Sequence, residues 1–161
     1  MNCKLFFANY LSKSLLFGNI HNNNYWLVRR LGSLSVGQSA QLSKVFTEAD
    51  VCEFGKLTGD YNPIHFDYKY CSKTKFCKPV VHGSLTNGLV GAVMGTLLPG
   101  PGTVVVQQTI NYTKPLYIGE EVCAEVIVTD IKKKFIDCRF SCKTNDGKTV
   151  IEGTAKLIMF S

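Results

Sequence analysis

The spacing of apolar residues changes twice along the chain, and each change marks an element. SVGQSAQLSKVF, positions 35–46, sets apolar residues among polar ones and predicts a first strand, with order beginning near Val36. Thr47-Glu48-Ala49-Asp50 has the form of a helix start with Thr47 as N-cap. Val51, Phe54 and Leu57 recur every three residues, which predicts a short amphipathic helix ending at Thr58-Gly59. Val81, Leu85, Leu89, Val93 and Leu97 repeat every four residues and predict the longest helix, from Val81 to Leu98, stopped by Pro99-Gly100-Pro101-Gly102. Strands are then predicted at Thr103–Tyr112, Glu121–Ile131, Phe135–Thr144 and Lys148–Phe160. Val122, Ala124, Val126 and Val128 alternate, so one face of that strand is buried. Asn145-Asp146-Gly147 predicts a hairpin turn, and Lys132 to Lys134 sit in another. Sequential strands joined by tight turns, with one long helix, give an α+β domain: an antiparallel sheet packed on that helix.

The long helix also carries Gly83, Gly88, Gly91 and Gly95. Glycine costs about 1 kcal/mol relative to alanine at an interior helix position. Four of them predict that other backbone approaches this helix closely, as a curved sheet wrapped around it would.

Composition changes the picture mainly at the N-terminus. The chain has 161 residues and a formal charge of +6, enough length for one domain with a proper core. Residues 1–32 hold Lys4, Lys13, Arg29 and Arg30 and no acid; the first acidic residue is Glu48. Setting those four aside leaves fourteen basic against twelve acidic side chains, a net of +2, which argues against a nucleic-acid binder with a broad basic face. Residues 1–32 therefore have the composition of a mitochondrial transit peptide, the other reading being a disordered tail, and 33–161 form the folded domain. A secretory signal fits less well, because Asn9, Ser12, Lys13 and Ser14 interrupt the apolar stretch. No apolar run is long enough for a membrane span. The seven cysteines, at 3, 52, 71, 77, 123, 138 and 142, are odd in number and form no CxxC pair; Cys138 and Cys142 share a strand face, but two thiols close no metal site. Free thiols in a reducing compartment follow.

The candidate chemistry lies in TGDYNPIHFD, Thr58 to Asp67, where Asp60 and His65 are five residues apart with Asn62-Pro63 between them. On a regular strand that offset puts two side chains on opposite sides. Asn-Pro strongly favours a turn, which can swing both toward one point. A carboxylate and a neutral imidazole aimed at one water make an acid–base pair near neutral pH. The same residues also suit an Asx-type turn with an incidental histidine. The following YKYCSKTKFCKP reads as a solvated loop, and its Lys69, Lys73, Lys75 and Lys78 are the local candidates for contact with an acidic partner.

A strand, the F-x-x-L-T-G-D-x-N-P-I-H-x-D stretch at 54–67, P-V-V-H-G at 79–83 opening a helix, and four further strands together resemble the hotdog-fold MaoC-like hydratases and dehydratases. That family includes (R)-specific enoyl-CoA hydratases and mitochondrial hydroxyacyl-thioester dehydratases. The resemblance covers about Val36 to the C-terminus. It implies a single hotdog fold, with the sheet wrapped around the central helix, and Asp60 and His65 as the catalytic pair. It further implies that the backbone N–H of Gly83 binds the thioester carbonyl oxygen and that Asn62 holds the loop and the reacting water. A glycine at a helix N-terminus does expose an unpaired N–H in a positive field. The alternative for His82-Gly83 is a plain helix entry. Where some bacterial relatives carry a serine two turns into the helix this chain has Gly91, so that position is given no role.

The implied activity is that of a hydro-lyase: a (3R)-hydroxyacyl-thioester dehydratase, or trans-2-enoyl-thioester hydratase in reverse, needing no cofactor or metal. With the transit peptide, this places it in the mitochondrial matrix, in type II fatty-acid synthesis. The resemblance also implies a homodimer, and acyl-carrier-protein or CoA thioesters docked by the Lys69–Lys78 cluster. The readings weighed against it are an acyl-CoA hydratase of fatty-acid oxidation, a hotdog thioesterase and a non-catalytic acyl-binding subunit, since one scaffold hosts many activities.

Overall fold

Strand pairing departs from chain order, and that departure closes the sheet around the helix. The computed structural model describes residues 34–160, so the transit-peptide expectation for 1–32 lies outside the described residues. Five strands, β1 (Ser39–Val45), β2 (Thr103–Tyr112), β3 (Glu121–Lys132), β4 (Phe135–Thr144) and β5 (Thr149–Met159), form one antiparallel sheet in the order β1-β3-β4-β5-β2. Only β3-β4 and β4-β5 are hairpins between sequence neighbours. The step from β2 to β3 is no hairpin: it carries the chain from one edge of the sheet to the strand beside the other edge. Val122, Ala124, Val126 and Val128 are all buried, as their alternation predicts, and Ile136, Cys138, Phe140 and Cys142 continue the same face on β4.

Helix α1 (Glu48–Thr58) starts at a capping box. The Thr47 hydroxyl accepts from the Asp50 N–H, and the Asp50 carboxylate accepts from the Thr47 N–H. It ends at Gly59, whose φ of 78° is a conformation glycine adopts without strain. Its buried face is Val51 and Gly55, with Phe54 half-buried, and Leu57 is 84% exposed, contrary to the three-residue repeat. Three residues turn a helix by about 300°, so a strict three-residue repeat drifts off the face, and adding i+4 corrects it. Gly55 is required by packing: a Cβ there would stand 2.8 Å from the Phe66 ring.

YKYCSKTKFCKP is not only loop. Tyr68–Cys71 forms one helical turn, α2, capped by the Asp67 carboxylate accepting from the Tyr70 N–H, with Cys71 fully buried. The long helix α3 (Gly83–Ala92) begins two residues later than its apolar repeat predicts, with His82 as N-cap, and continues as a π-helical turn, Val93–Leu97. Its buried face is Thr86, Leu89, Val90, Val93 and Met94, while Leu97 is 39% exposed. A four-residue repeat drifts by about 40° per step in the opposite sense, and the wide π turn adds to it. The helix lies against β3, β4 and β5 and its π turn against β1, β2 and β3, so it touches every strand of the sheet. This is the hotdog arrangement. Each aliphatic side chain fully buried between helix and sheet contributes roughly 1.5–3 kcal/mol.

The glycine expectation fails for most of α3. A Cβ at Gly88, Gly91 or Gly95 would have nothing within 4 Å, and all three are exposed. The sheet packs on the opposite, larger side chains, because burying apolar area outweighs close backbone approach. Only Gly83 is closely approached, by the ring of Tyr112.

Candidate active site

The proline-bent loop is a 3-10 turn, Pro63–His65, capped by Asn62, whose side-chain oxygen accepts from the Ile64 N–H. The Asn62 N–H in turn donates to Asp60 Oδ1 at 3.2 Å. Asn62 is thus committed to holding the loop and Asp60 through local bonds.

The turn brings Asp60 and His65 to one point. Asp60 Oδ2 lies 4.0 Å from His65 Nε2. That is too long for a direct hydrogen bond and right for a single oxygen atom bonded to both. His65 is buried, and its Nδ1 lies 2.7 Å from the Val80 carbonyl oxygen. A carbonyl only accepts, so Nδ1 carries the proton and the lone pair of the neutral ring sits on Nε2, facing Asp60. Val80 is itself held by its N–H to the Ile64 carbonyl at 3.1 Å, tying the P-V-V-H-G segment to the loop. Asp60 keeps half its side chain in solvent, so a buried imidazole faces a solvated carboxylate.

A third side chain enters that sequence reasoning left as a helix entry. His82 is 1% exposed and packs face to face with His65, ring centroids 3.8 Å apart. Its Nε2 lies 3.2 Å from the Asp60 carbonyl oxygen and 3.9 Å from Asp60 Oδ2. Phe54 and Phe66 close around the same ring. Burial, aided by the neighbouring His65, pushes the His82 imidazole below its ordinary value, against the opposing pull of Asp60. The signal available in sequence was its place beside Gly83. Its ring contacts come from residues 16 to 28 positions away.

Asp60, His65 and His82 each offer a donor atom, all within 4.8 Å of one another. They fit a metal ion poorly. His82 Nε2 spends its proton on the Asp60 carbonyl oxygen and so offers no lone pair there. Binding a cation there would require the ring to reverse its tautomer.

A cavity of about 500 Å³ opens beside the pair, lined by His65 and Gly83 among apolar side chains that include Ile64, Val81 and Leu116. Asp60 is outside its lining. Gly83 opens α3, and among the described residues its N–H has no acceptor, which leaves it directed at whatever occupies the helix end. The Tyr112 ring lies against the same glycine, where a Cβ would come within 2.6 Å of it. Of the four lysines picked out by charge, only Lys75 lines the cavity. Lys78 lies over the Tyr117 ring at 4.5 Å, and Lys69 and Lys73 are exposed outside it. Lys114, which the charge run did not include, is the second lysine of the lining.

The chain is similar in sequence and in fold to known proteins. Residues 34–150 match the family described as MaoC like domain. The chain is 42% identical over 125 residues to an (R)-specific enoyl-CoA hydratase of Rhodospirillum rubrum, covering 76% of this chain and 86% of that one. It is 33% identical over 130 residues to the tomato (Solanum lycopersicum) mitochondrial 3-hydroxyacyl-[acyl-carrier-protein] dehydratase FERN, covering 78% of each. Among solved structures, the (R)-hydratase of Aeromonas caviae involved in PHA biosynthesis superposes with a TM-score of 0.77 at 35% identity, over 80% of this chain and 98% of that one.

Proposed function

This chain belongs to the MaoC-like family of hydratases and dehydratases, and we propose that it interconverts (3R)-hydroxyacyl and trans-2-enoyl thioesters, a hydro-lyase reaction. The observation that carries the reading is the 4.0 Å gap between Asp60 Oδ2 and the lone-pair nitrogen of His65, beside a cavity that also presents the Gly83 N–H.

In the dehydration direction the thioester carbonyl accepts from the Gly83 N–H, and the substrate hydroxyl donates to Asp60. His65 Nε2 takes the α-proton. The C–H electron pair forms the Cα–Cβ double bond as the C–O bond breaks, and the departing hydroxide takes the proton held on His65 and leaves as water. Gly83 stabilises the negative charge that builds on the carbonyl oxygen, and one such donor is typically worth about 10²–10³ in rate. The imidazolium forms beside the Asp60 carboxylate, and acid–base help of this kind supplies roughly 10²–10⁴.

The finer reading is a dehydratase of mitochondrial fatty-acid synthesis acting on acyl-carrier-protein thioesters in the matrix. It rests on the acid-free composition of 1–32, which we read as a transit peptide ahead of the domain at 33–161, and on the likeness to mitochondrial plant enzymes. The higher identity to CoA-named bacterial hydratases favours a second reading, hydration of enoyl-CoA. A homodimer is part of the proposal. Edge strand β2 exposes Val104, Val105 and Val106, and the glycine face of α3 is open, so a second copy has an unpaired edge and an apolar surface to cover.

The test is an assay of the purified chain with (3R)- and (3S)-hydroxyacyl thioesters of several lengths on both carriers, following enoyl formation and free-thiol release separately. Enoyl formation from the (3R) isomer alone is expected, and Asp60→Asn or His65→Ala lowers it at least about 100-fold with the fold unchanged by circular dichroism. Thiol release without enoyl product, or wild-type rates in both variants, overturns the reading.

A further inference from the structure

The β3–β4 hairpin ends in three consecutive lysines, Lys132, Lys133 and Lys134, beside an apolar surface on the side of the sheet away from α3. Strand register assembles that surface. Lys132 pairs with Phe135, Phe135 with Ile158 and Ile158 with Val104, so four strands contribute to one row. Its direction follows from alternation: Leu157 is buried on the helix face, so Ile158 points outward, and Phe160 follows it on the same side. Val104, Phe135 and Phe160 are all exposed. Pairing of the β2 edge with a second copy would use its backbone N–H and C=O groups and leave the Val104 side chain on this outer face. The Lys134 carbonyl accepts from the Met159 N–H, and the Phe160 N–H donates to the Gly102 carbonyl, so hairpin tip and chain end are held in place.

A solvated lysine needs no counterpart. The exposed aromatic and aliphatic row beside the lysines is what gains by leaving water, and the charge around it selects what covers it. In the next row Asp130 is already paired with Lys132 at 2.7 Å and Asp137 with Lys156 at 3.7 Å. Four lysines against these two acids leave a net of +2, carried at the tip by Lys133 and Lys134. Lys134 lies 5.8 Å from the Phe135 ring centroid, so cation and apolar surface are contiguous. Lys133 has a φ of 55°, a left-handed turn position that glycine or asparagine fills with less strain, so a cation stands there against the local backbone preference. We propose that this end of the sheet docks on an anionic membrane surface, with Phe135, Ile158, Val104 and Phe160 in the headgroup region and Lys133 and Lys134 on lipid phosphates. Lysine suits the arrangement, because its stem lies along apolar surface while its ammonium reaches the phosphates. Among the described residues no helix is long and apolar enough to cross a membrane, and the docking is peripheral. It does not depend on the catalytic reading.

Co-sedimentation of the full chain with vesicles tests this, using phosphatidylcholine alone and phosphatidylcholine with about 30 mol% phosphatidylglycerol. The wild-type protein is expected to partition at least about tenfold more strongly onto the anionic vesicles, and less so as salt rises from about 50 to 500 mM. Lys133→Glu/Lys134→Glu lowers that partitioning about tenfold and Phe160→Ser about threefold, with dehydratase rates in solution unchanged. Phe160→Trp gives a blue-shifted emission on anionic vesicles that brominated acyl chains quench, once the signal of the single native tryptophan, Trp26, is subtracted. Equal partitioning onto both vesicles overturns the proposal. So does binding that the variants retain in full, which would belong to the basic residues of 1–32. Salt-sensitive binding that ignores Phe160→Ser, with no quenching at position 160, reduces it to surface charge and overturns the docking face. Self-association without vesicles that Phe160→Ser abolishes gives the patch to a second copy, and overturns it too.

Discussion

The imidazoles of His65 and His82 are stacked, with centroids 3.8 Å apart and planes 24° from parallel. Two buried rings that close cannot both carry charge at low cost, so one must stay neutral for the other to work as a base. His82 is built for that part. Its Nε2–H donates to the Asp60 carbonyl, and its buried Nδ1 has no partner among the described residues. It therefore braces the Asp60 loop from below while presenting an uncharged face to His65.

Replacing His82 separates brace from ring. His82→Phe keeps the stack and removes the donor, leaving the Asp60 carbonyl without a partner, a loss of about 1–3 kcal/mol. We expect kcat for enoyl formation to fall about tenfold to 100-fold with KM changed less than about threefold. His82→Gln, which can still donate, should lose less. Equal rates in wild type and His82→Phe would remove His82 from the account.

The same histidine sets an acid-stability limit. Its folded pKa lies below its ordinary 6.5 because burial disfavours the charged ring. The unfolded chain therefore binds this proton first, and stability falls as pH drops below 6.5 toward the folded value. Urea midpoints should decline between pH 7.5 and pH 5.5, and His82→Phe should flatten that decline. An identical slope in the variant would mean that other groups cause it.

Gly83→Ala places a methyl within 2.6 Å of the Tyr112 ring. Tyr112 is 57% exposed and can swing aside, so folding should survive, but the helix start and its N–H shift with the strain. A drop in kcat of about tenfold or more is expected, because oxyanion donors tolerate little displacement. The Gly83→Ala/Tyr112→Ala double variant should recover part of it. Full activity in the single variant would argue that this N–H takes no part in the reaction.

Gly153→Ala tests the sheet instead. A Cβ on this β5 residue would collide with the Thr109 carbonyl of β2 and the Phe140 ring of β4. Backbone cannot yield there as an exposed ring can, so a loss of at least 1–3 kcal/mol in unfolding free energy is expected. A denaturation midpoint equal to wild type would contradict the close approach.

Thiol chemistry should divide the cysteines by depth. Burial pushes the Cys138 thiol up to about 11 and the Cys142 thiol up to about 12. Cys52 and Cys77 are exposed. In native protein an alkylating agent at pH 8 should label Cys52 and Cys77 and spare Cys138 and Cys142, with all four labelled in urea, as mass spectrometry would show. Rapid native labelling of Cys142 would mean that the sheet face opens.

Much of this was legible from local rules. Thr47 and Gly59 bound α1, and Gly147 falls in the hairpin turn, because caps and turns are chosen by the residues that occupy them. The inner face of β3 follows from alternation alone, and Asn62-Pro63 announces the bend that joins Asp60 to His65. Local rules fail where a side chain's fate depends on distant partners. Leu57 and Leu97 satisfy an apolar repeat yet face solvent, and the α3 glycines satisfy a close-approach argument yet stand open, since the sheet decides which helix face is covered.

Sequence by itself therefore determined the main helices and strands, their boundaries to within a few residues, and the bend that brings Asp60 near His65, all of them set by interactions a few residues long. Tertiary structure decided the rest. It put β2 beside β5, brought His82 under His65 across sixteen residues, and placed Lys114 with Lys75 in one cavity across thirty-eight intervening positions. Those pairings depend on how the sheet closes around its helix, a global balance of buried area that no local period encodes.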